Sequence, residues 1–161
     1  MTEPRVRVLG HPVHPMLVVF PLGLLVTAVV FDLVDLVGGG EVFGEVAYWN
    51  IAAGLVGAAL AALFGWLDWF NIPQGTRAKR IGLLHGGGNL LVSLVFLVVW
   101  LVRQAEPAQA AGGGLFVVEV LAIGLASVTA WMGGELVDRL GVGVYEDAHP
   151  DASSSLRRHR V

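Results

Sequence analysis

The sequence contains no cysteine and little charge. Without cysteine there can be no disulfide, no thiolate metal ligand and no cysteine nucleophile. Asp, Glu, Lys and Arg together make up 14% of the 161 residues, against about 25% in an average soluble domain. That is too little to cover a soluble globule. There is no P-loop and no GxSxG elbow, and the glycine runs do not follow a strand, so nucleotide binding and serine hydrolysis find little support. What is present is apolar: 55% of residues are hydrophobic and 22 are Gly, with a mean hydropathy of +0.72. A composition like this excludes a disordered chain, and the length allows one compact unit with no separate enzyme domain. A small integral membrane protein remains.

Four stretches are long and apolar enough to cross a bilayer, at about 14–37, 46–70, 81–103 and 115–138. Gly38-Gly39-Gly40, the segment Asn71–Arg80 with Pro73 and Gly75, and the segment Gln104–Gly114 with Pro107 separate them; such clusters are turn signals. Short loops predict an all-α, integral membrane four-helix bundle of antiparallel up-down topology. The first span could be mistaken for a cleaved signal peptide, with Val26 and Ala28 meeting the small-residue rule. Its apolar run continues past Ala28, however, and two His-Pro pairs precede it, so a retained helix is expected. Pro21 should kink it unless neighbours satisfy the freed carbonyl.

Nine of the ten Lys and Arg residues fall on the side of the chain ends and the second loop, leaving only Arg103 opposite. The positive-inside rule then predicts a bacterial inner-membrane protein with both termini cytoplasmic. Residues 1–13 read as a cytoplasmic N-terminal tail, 14–144 as the membrane domain, and 145–161 as a disordered cytoplasmic tail in which His149 and His159 are solvated bystanders.

Eighteen residues of helix span about 27 Å, close to the hydrocarbon thickness. His14 and Asp32, Asn50 and Asp68, and His85 and Arg103 are each that far apart, and Glu119 and Glu135 nearly so. These pairs sort into two planes. An outer plane holds Asp32, Asp35, Asn50, Arg103 and Glu119. Asp35, Arg103 and Asp138 read as helix ends snorkelling to water, with Arg103 also balancing Asp32 or Glu119, while Asp32 and Glu119 are expected to face the bundle interior. The centre between the planes is wholly apolar, and no span is broken at the midplane, which argues against a proton path or a secondary transporter.

The cytoplasmic plane holds His11, His14, Asp68, His85 and Glu135. His11 and His14 are spaced i,i+3 at the head of span one, stiffened by the prolines beside them. His85 and Asn89 share a face of span three, with Gly82 and Gly86 to Gly88 opening that face to a close neighbour or a flat ligand. Imidazole and carboxylate together suit zinc or non-haem iron, a metal set drawn from His11, His14, Asp68, His85 and Glu135. Alternatively His14 and His85, with Asn89 supporting, could hold a b-type haem, although the acidic neighbours favour a bare metal. The third reading is a hydrogen-bonded structural lock without a cofactor. No catalytic residue is predicted, and whether the chain is an enzyme stays open.

Small residues recur along two spans: Ala122, Ala126, Ala130 and Gly134 on the fourth, and Gly54, Ala58, Ala62 with Gly57, Ala61, Gly65 on the second. They favour close helix packing, within the bundle or in an oligomer. Arg77, Lys79 and Arg80 read as a contact to anionic lipid and not to nucleic acid. The expected partners are therefore the bilayer and a redox or other membrane protein.

Gly10-His11-Pro12-Val13-His14-Pro15, followed by Phe20-Pro21 and Asp32, then Gly65-Trp66-Leu67-Asp68, Ile72-Pro73-Gln74-Gly75-Thr76-Arg77, His85, Asn89 and Gly133-Gly134-Glu135-Leu136-Val137, resemble the bacterial membrane-protein family catalogued as domain of unknown function 2231. The resemblance covers nearly all of residues 10–144. It implies a four-helix inner-membrane protein, in a family of which some members are joined to or associated with iron–sulfur domains, and it supplies no ligand residues. From residues and resemblance together, two functions stand open: a metal or haem site near the cytoplasmic face serving electron transfer, or a non-catalytic scaffold or accessory subunit.

Overall fold

In the computed structural model, residues 2–105 and 111–156 are described. Pro107, and Arg157, Arg158, His159 and Arg160 of the tail, lie outside the described residues. Two short strands, β1 (Arg7–Val8) and β2 (His11–Pro12), form an antiparallel hairpin with Val8 opposite His11. Its two-residue turn has Leu9 at φ 51° and Gly10 at φ 80°, the left-handed pair that matches the twist of a tight hairpin. Helices α1 (Val13–Leu17) and α2 (Val19–Leu36) follow, then α3 (Val42–Asn71), α4 (Arg77–Arg103), α5 (Gly112–Gly134) and a π-helical turn, Glu135–Arg139.

Four helical stretches are long and apolar enough to cross a membrane, with α1 and α2 sharing one of them. The break at Val18 has a local cause. Pro21 has no N–H to give the carbonyl of Leu17, and Leu17 is where α1 ends. The other helices are uninterrupted. At the loop into α4, Gly75 turns the chain at φ 76°, and the Thr76 hydroxyl caps the helix by accepting the Lys79 amide at 3.1 Å.

Each of α2, α3, α4 and α5 packs on two others, α2 on α3 and α5, and α4 on α3 and α5, closing a ring of four. Between them lies a core of Leu25, Ala28, Ala47, Ile51, Val92, Phe96, Val99, Ala122 and Ala126. The inward positions follow a heptad-like step of three and four. On α4 they run through Gly82, His85, Asn89, Val92, Phe96, Val99 and Arg103, and on α5 through Glu119, Ala122, Ala126, Thr129 and Gly133. Such a repeat is the seam of a left-handed bundle. It differs from the every-fourth stripe expected on span four: Ala122 and Ala126 are buried, but Ala130 and Gly134 face outward. A 3.6-residue turn drifts off a strict four-residue repeat within two steps.

The glycines of α3 are internal. A Cβ on Gly54 would come within 2.9 Å of Leu25, and one on Gly57 within 2.9 Å of Phe20, so this stripe is how α3 meets the first span. No more than 22% of the residues in the most apolar window of any span are buried inside the bundle. Large side chains such as Leu63, Leu94, Val98, Leu121 and Trp131 point outward, which suits lipid as the surrounding solvent.

The two ends of the chain meet on one end of the bundle. The Thr2 amide donates to the Gly141 carbonyl at 3.0 Å, and Gly143 donates back to Thr2 at 2.7 Å. Tyr145 donates its hydroxyl proton to the Gly10 carbonyl at 2.8 Å, with the Arg7 guanidinium over its ring. Further along, His149 is exposed and accepts the Asp151 amide at 3.2 Å.

Candidate functional site

Beneath this terminal cap, the first turn of α1 and the third turn of α4 bring two imidazoles together. The ring centres of His14 and His85 are 6.5 Å apart and their planes perpendicular. Each ring is anchored through the same atom. His14 Nδ1 lies 2.8 Å from the Ala61 carbonyl of α3, and His85 Nδ1 lies 2.7 Å from the Thr129 carbonyl of α5. A carbonyl can only accept, so Nδ1 carries the proton in both rings and each Nε2 is left with a lone pair.

The backbone around the rings is cut to fit them. A Cβ on Gly65 would sit 2.8 Å from His14 Cε1, and one on Gly133 would sit 3.1 Å from His85 Cε1. Gly88 makes the same room for Thr129, whose Cγ2 would lie 2.5 Å from an added Cβ. Glycine at these three places is therefore a condition of the imidazole geometry.

Asn89 and Thr129 complete the surroundings of His85. Asn89 Nδ2 donates to the His85 carbonyl at 2.9 Å and is 3.4–3.5 Å from both ring nitrogens. Being equidistant from them, it lies off the lone-pair axis of either. The Thr129 hydroxyl donates to Asn89 Oδ1 at 2.8 Å. Thr129 is 2% exposed and was not singled out from the sequence. The signal was present, because Thr129 is the polar position of the Ala122–Ala126 seam once that seam is stepped by three and four.

The other sequence candidates lie elsewhere. His11 is exposed in β2, outside the helix, with Nδ1 3.3 Å from the Leu9 carbonyl; the Leu9-Gly10 turn takes it into the hairpin. Asp68 accepts the Arg5 backbone amide at 2.7 Å, tying α3 to the N-terminal segment. Glu135 sits in the π-helical turn and pairs with Arg77 at 2.7 Å. Among the described residues, no three His, Cys, Asp or Glu side chains come together as a metal-binding group. The structure thus brings together His14, His85 and Asn89, and not the acids.

Two expectations about cations are corrected. Lys79 does not reach for lipid headgroups: it is 6% exposed, its Nζ donates to the Trp69 carbonyl at 2.7 Å and rests 3.7 Å from the centre of the Trp69 ring. The Trp69 indole N–H returns a bond to the Lys79 carbonyl at 3.0 Å. The aromatic face and a carbonyl in the last turn of α3 thus hold the ammonium inside the bundle end. Arg103 does not snorkel either. It is 5% exposed and makes a bidentate pair with Asp32, both contacts 2.9 Å, while Nη2 also donates to the Gly44 carbonyl at 3.0 Å. The expected balance between Arg103 and Asp32 is therefore present, inside the bundle. Asp32 and Glu119 face the interior, each 0% exposed. Asn50 stands apart from them and donates to Thr27 Oγ1 at 3.1 Å.

No curated protein and no solved structure matches this chain. A family match does exist: residues 10–146 fit the predicted membrane proteins of DUF2231. That stretch holds both imidazoles, their carbonyl anchors and all four spans, so the chain belongs to the DUF2231 family of predicted membrane proteins.

Proposed function

We propose that the chain is an electron-transfer membrane protein that binds an iron centre between His14 and His85, with a b-type haem as the form that suits the site. The observation carrying this reading is the spacing of the two rings. A metal bound between two imidazoles, with bonds of about 2 Å on either side, holds the ring centres about 6 Å apart, and here they are 6.5 Å apart. Both Nδ1 atoms are engaged with carbonyls, the arrangement that orients a ligating histidine and raises its basicity. With two protein ligands and, among the described residues, no third His, Cys, Asp or Glu grouped with them, a bare zinc or iron ion would be under-coordinated, whereas a macrocycle supplies the remaining ligands itself. Such a group supplies one-electron chemistry when bound. The Ala61 and Thr129 carbonyls would orient the His14 and His85 rings that hold it.

The same reading takes the bundle as up-down and antiparallel, in a bacterial inner membrane with both termini cytoplasmic. Its support is the Lys and Arg distribution, and the meeting of the start of α1 with the far part of α3 and of the start of α4 with the far part of α5. The redox partner then approaches from the cytoplasmic side.

A second reading has its own observation. Each imidazole ties its helix to a carbonyl of a neighbour, which is what a purely structural lock does. Protein purified from a haem-replete host separates the two. A Soret band lost in both His14→Ala and His85→Ala is the expected result; iron or zinc without that band indicates a bare site. Neither metal nor band, with both variants folded, would refute the proposal and leave a scaffold.

A further inference from the structure

The opposite end of the bundle holds a charged cluster for which the imidazole pair has no use. Asp32 of α2, Arg103 at the last turn of α4 and Glu119 of α5 are all buried, Asp32 and Glu119 completely. The guanidinium is committed to Asp32 by two contacts of 2.9 Å and to the Gly44 carbonyl of α3. Glu119 Oε1 lies 3.5 Å from Arg103 Nη1, beyond a good hydrogen bond. Neither Glu119 oxygen accepts a hydrogen bond among the described residues. The two carboxyls converge on one guanidinium nitrogen, Arg103 Nη1, which is 2.9 Å from Asp32 Oδ2 and 3.5 Å from Glu119 Oε1.

Among the described residues, two acids and one base leave an excess negative charge in a place that water does not reach. An isolated buried carboxylate is among the costliest groups to keep in an apolar medium. A water molecule could supply the missing hydrogen-bond donor, but it would not remove the charge. A small cation between the two carboxyls does both.

We propose that the Glu119–Asp32 carboxyl pair is a binding site for one small monovalent cation, either a proton or an alkali ion. Arg103 fixes Asp32 in place and lowers the charge of the site from two to one. This is why a monovalent ion suits it and a divalent one does not. Asp35, half-buried, follows one helical turn after Asp32 on α2. The site is separated from the imidazoles by the apolar core, and the proposal stands whether or not they hold iron.

The test uses the purified full chain in detergent or nanodiscs at neutral pH. If the ion is a proton, the infrared spectrum contains the carbonyl stretch of a protonated carboxyl that shifts in D2O and disappears in Glu119→Gln. If it is an alkali ion, the unfolding temperature rises with NaCl or KCl over choline chloride at equal ionic strength, and the rise is lost in Glu119→Gln. Glu119→Leu, which removes the charge with an apolar side chain, serves as the second variant should the glutamine form not fold. Either response identifies the ion. Wild-type protein with neither response, or variants that keep the response, overturns the proposal.

Discussion

Replacing Gly65 by alanine tests the imidazole geometry at its tightest point. The new methyl would stand 2.8 Å from His14 Cε1 and 2.9 Å from Nδ1, whereas non-bonded carbon contacts settle at about 3.5–4.0 Å. The ring must give way by nearly an ångström, and its bond to the Ala61 carbonyl cannot survive that. Overpacking costs about 1–3 kcal/mol and a lost hydrogen bond about 0.5–1.5 kcal/mol. Against this, alanine gains about 1 kcal/mol over glycine in a helix interior. The net expectation is a loss of about 1–3 kcal/mol. Gly124→Ala on α5 is the matched control, because nothing lies within 4 Å of its added Cβ; it should be neutral or stabilising by up to about 1 kcal/mol. Reversible unfolding in mixed detergent and SDS, followed by circular dichroism, measures both. If Gly65→Ala proves as stable as Gly124→Ala, the placement of the His14 ring against α3 is wrong.

Thr129→Val keeps the shape and the backbone carbonyl that holds His85, but leaves Asn89 Oδ1 without its donor; a loss of about 1–3 kcal/mol is expected in the same unfolding assay. Asp32→Asn, which removes the bidentate partner of the buried Arg103 while Glu119 stays 3.5 Å from it as a counter-charge, should cost about 1.5–3 kcal/mol. Part of that should return in the double variant Asp32→Asn/Arg103→Gln, as a double-mutant cycle would detect. Lys79→Ala should destabilise by about 2 kcal/mol through loss of its contact with the Trp69 ring. Arg80→Ala, exposed on the same helix, should stay within about 0.5 kcal/mol.

Depth along each helix was legible in the sequence; direction around it was only partly so. An 18-residue spacing is five turns of 3.6, so it places two side chains at opposite ends of a span and also on one face. His14 with Asp32, and His85 with Arg103, are related in this way, which is why spans one and three contribute to both polar levels from their inward seams. Glu119 and Glu135 are 16 apart, about four and a half turns, and so nearly opposite in azimuth. Glu119 is inside, and Glu135 reaches outward to Arg77. His11 stands away from the imidazole pair because of the hairpin ahead of α1, whose turn needs a non-glycine residue, Leu9, at positive φ, which no local preference signals. Lys79 and Arg103 were read as headgroup-seeking because long cations at helix ends usually are. What holds them inside is an indole and a carboxylate from other helices, and such tertiary partners leave no mark in a linear spacing.

The stitching of Thr2 to Gly141 and Gly143, and of Gly10 to Tyr145, imposes an order on biogenesis. Thr2 and Gly10 find these partners only after the fourth span has been made, so the level that holds the imidazoles is sealed last. A bulky domain placed directly ahead of Thr2 would therefore delay or prevent closure of the end of the bundle that holds the two imidazoles.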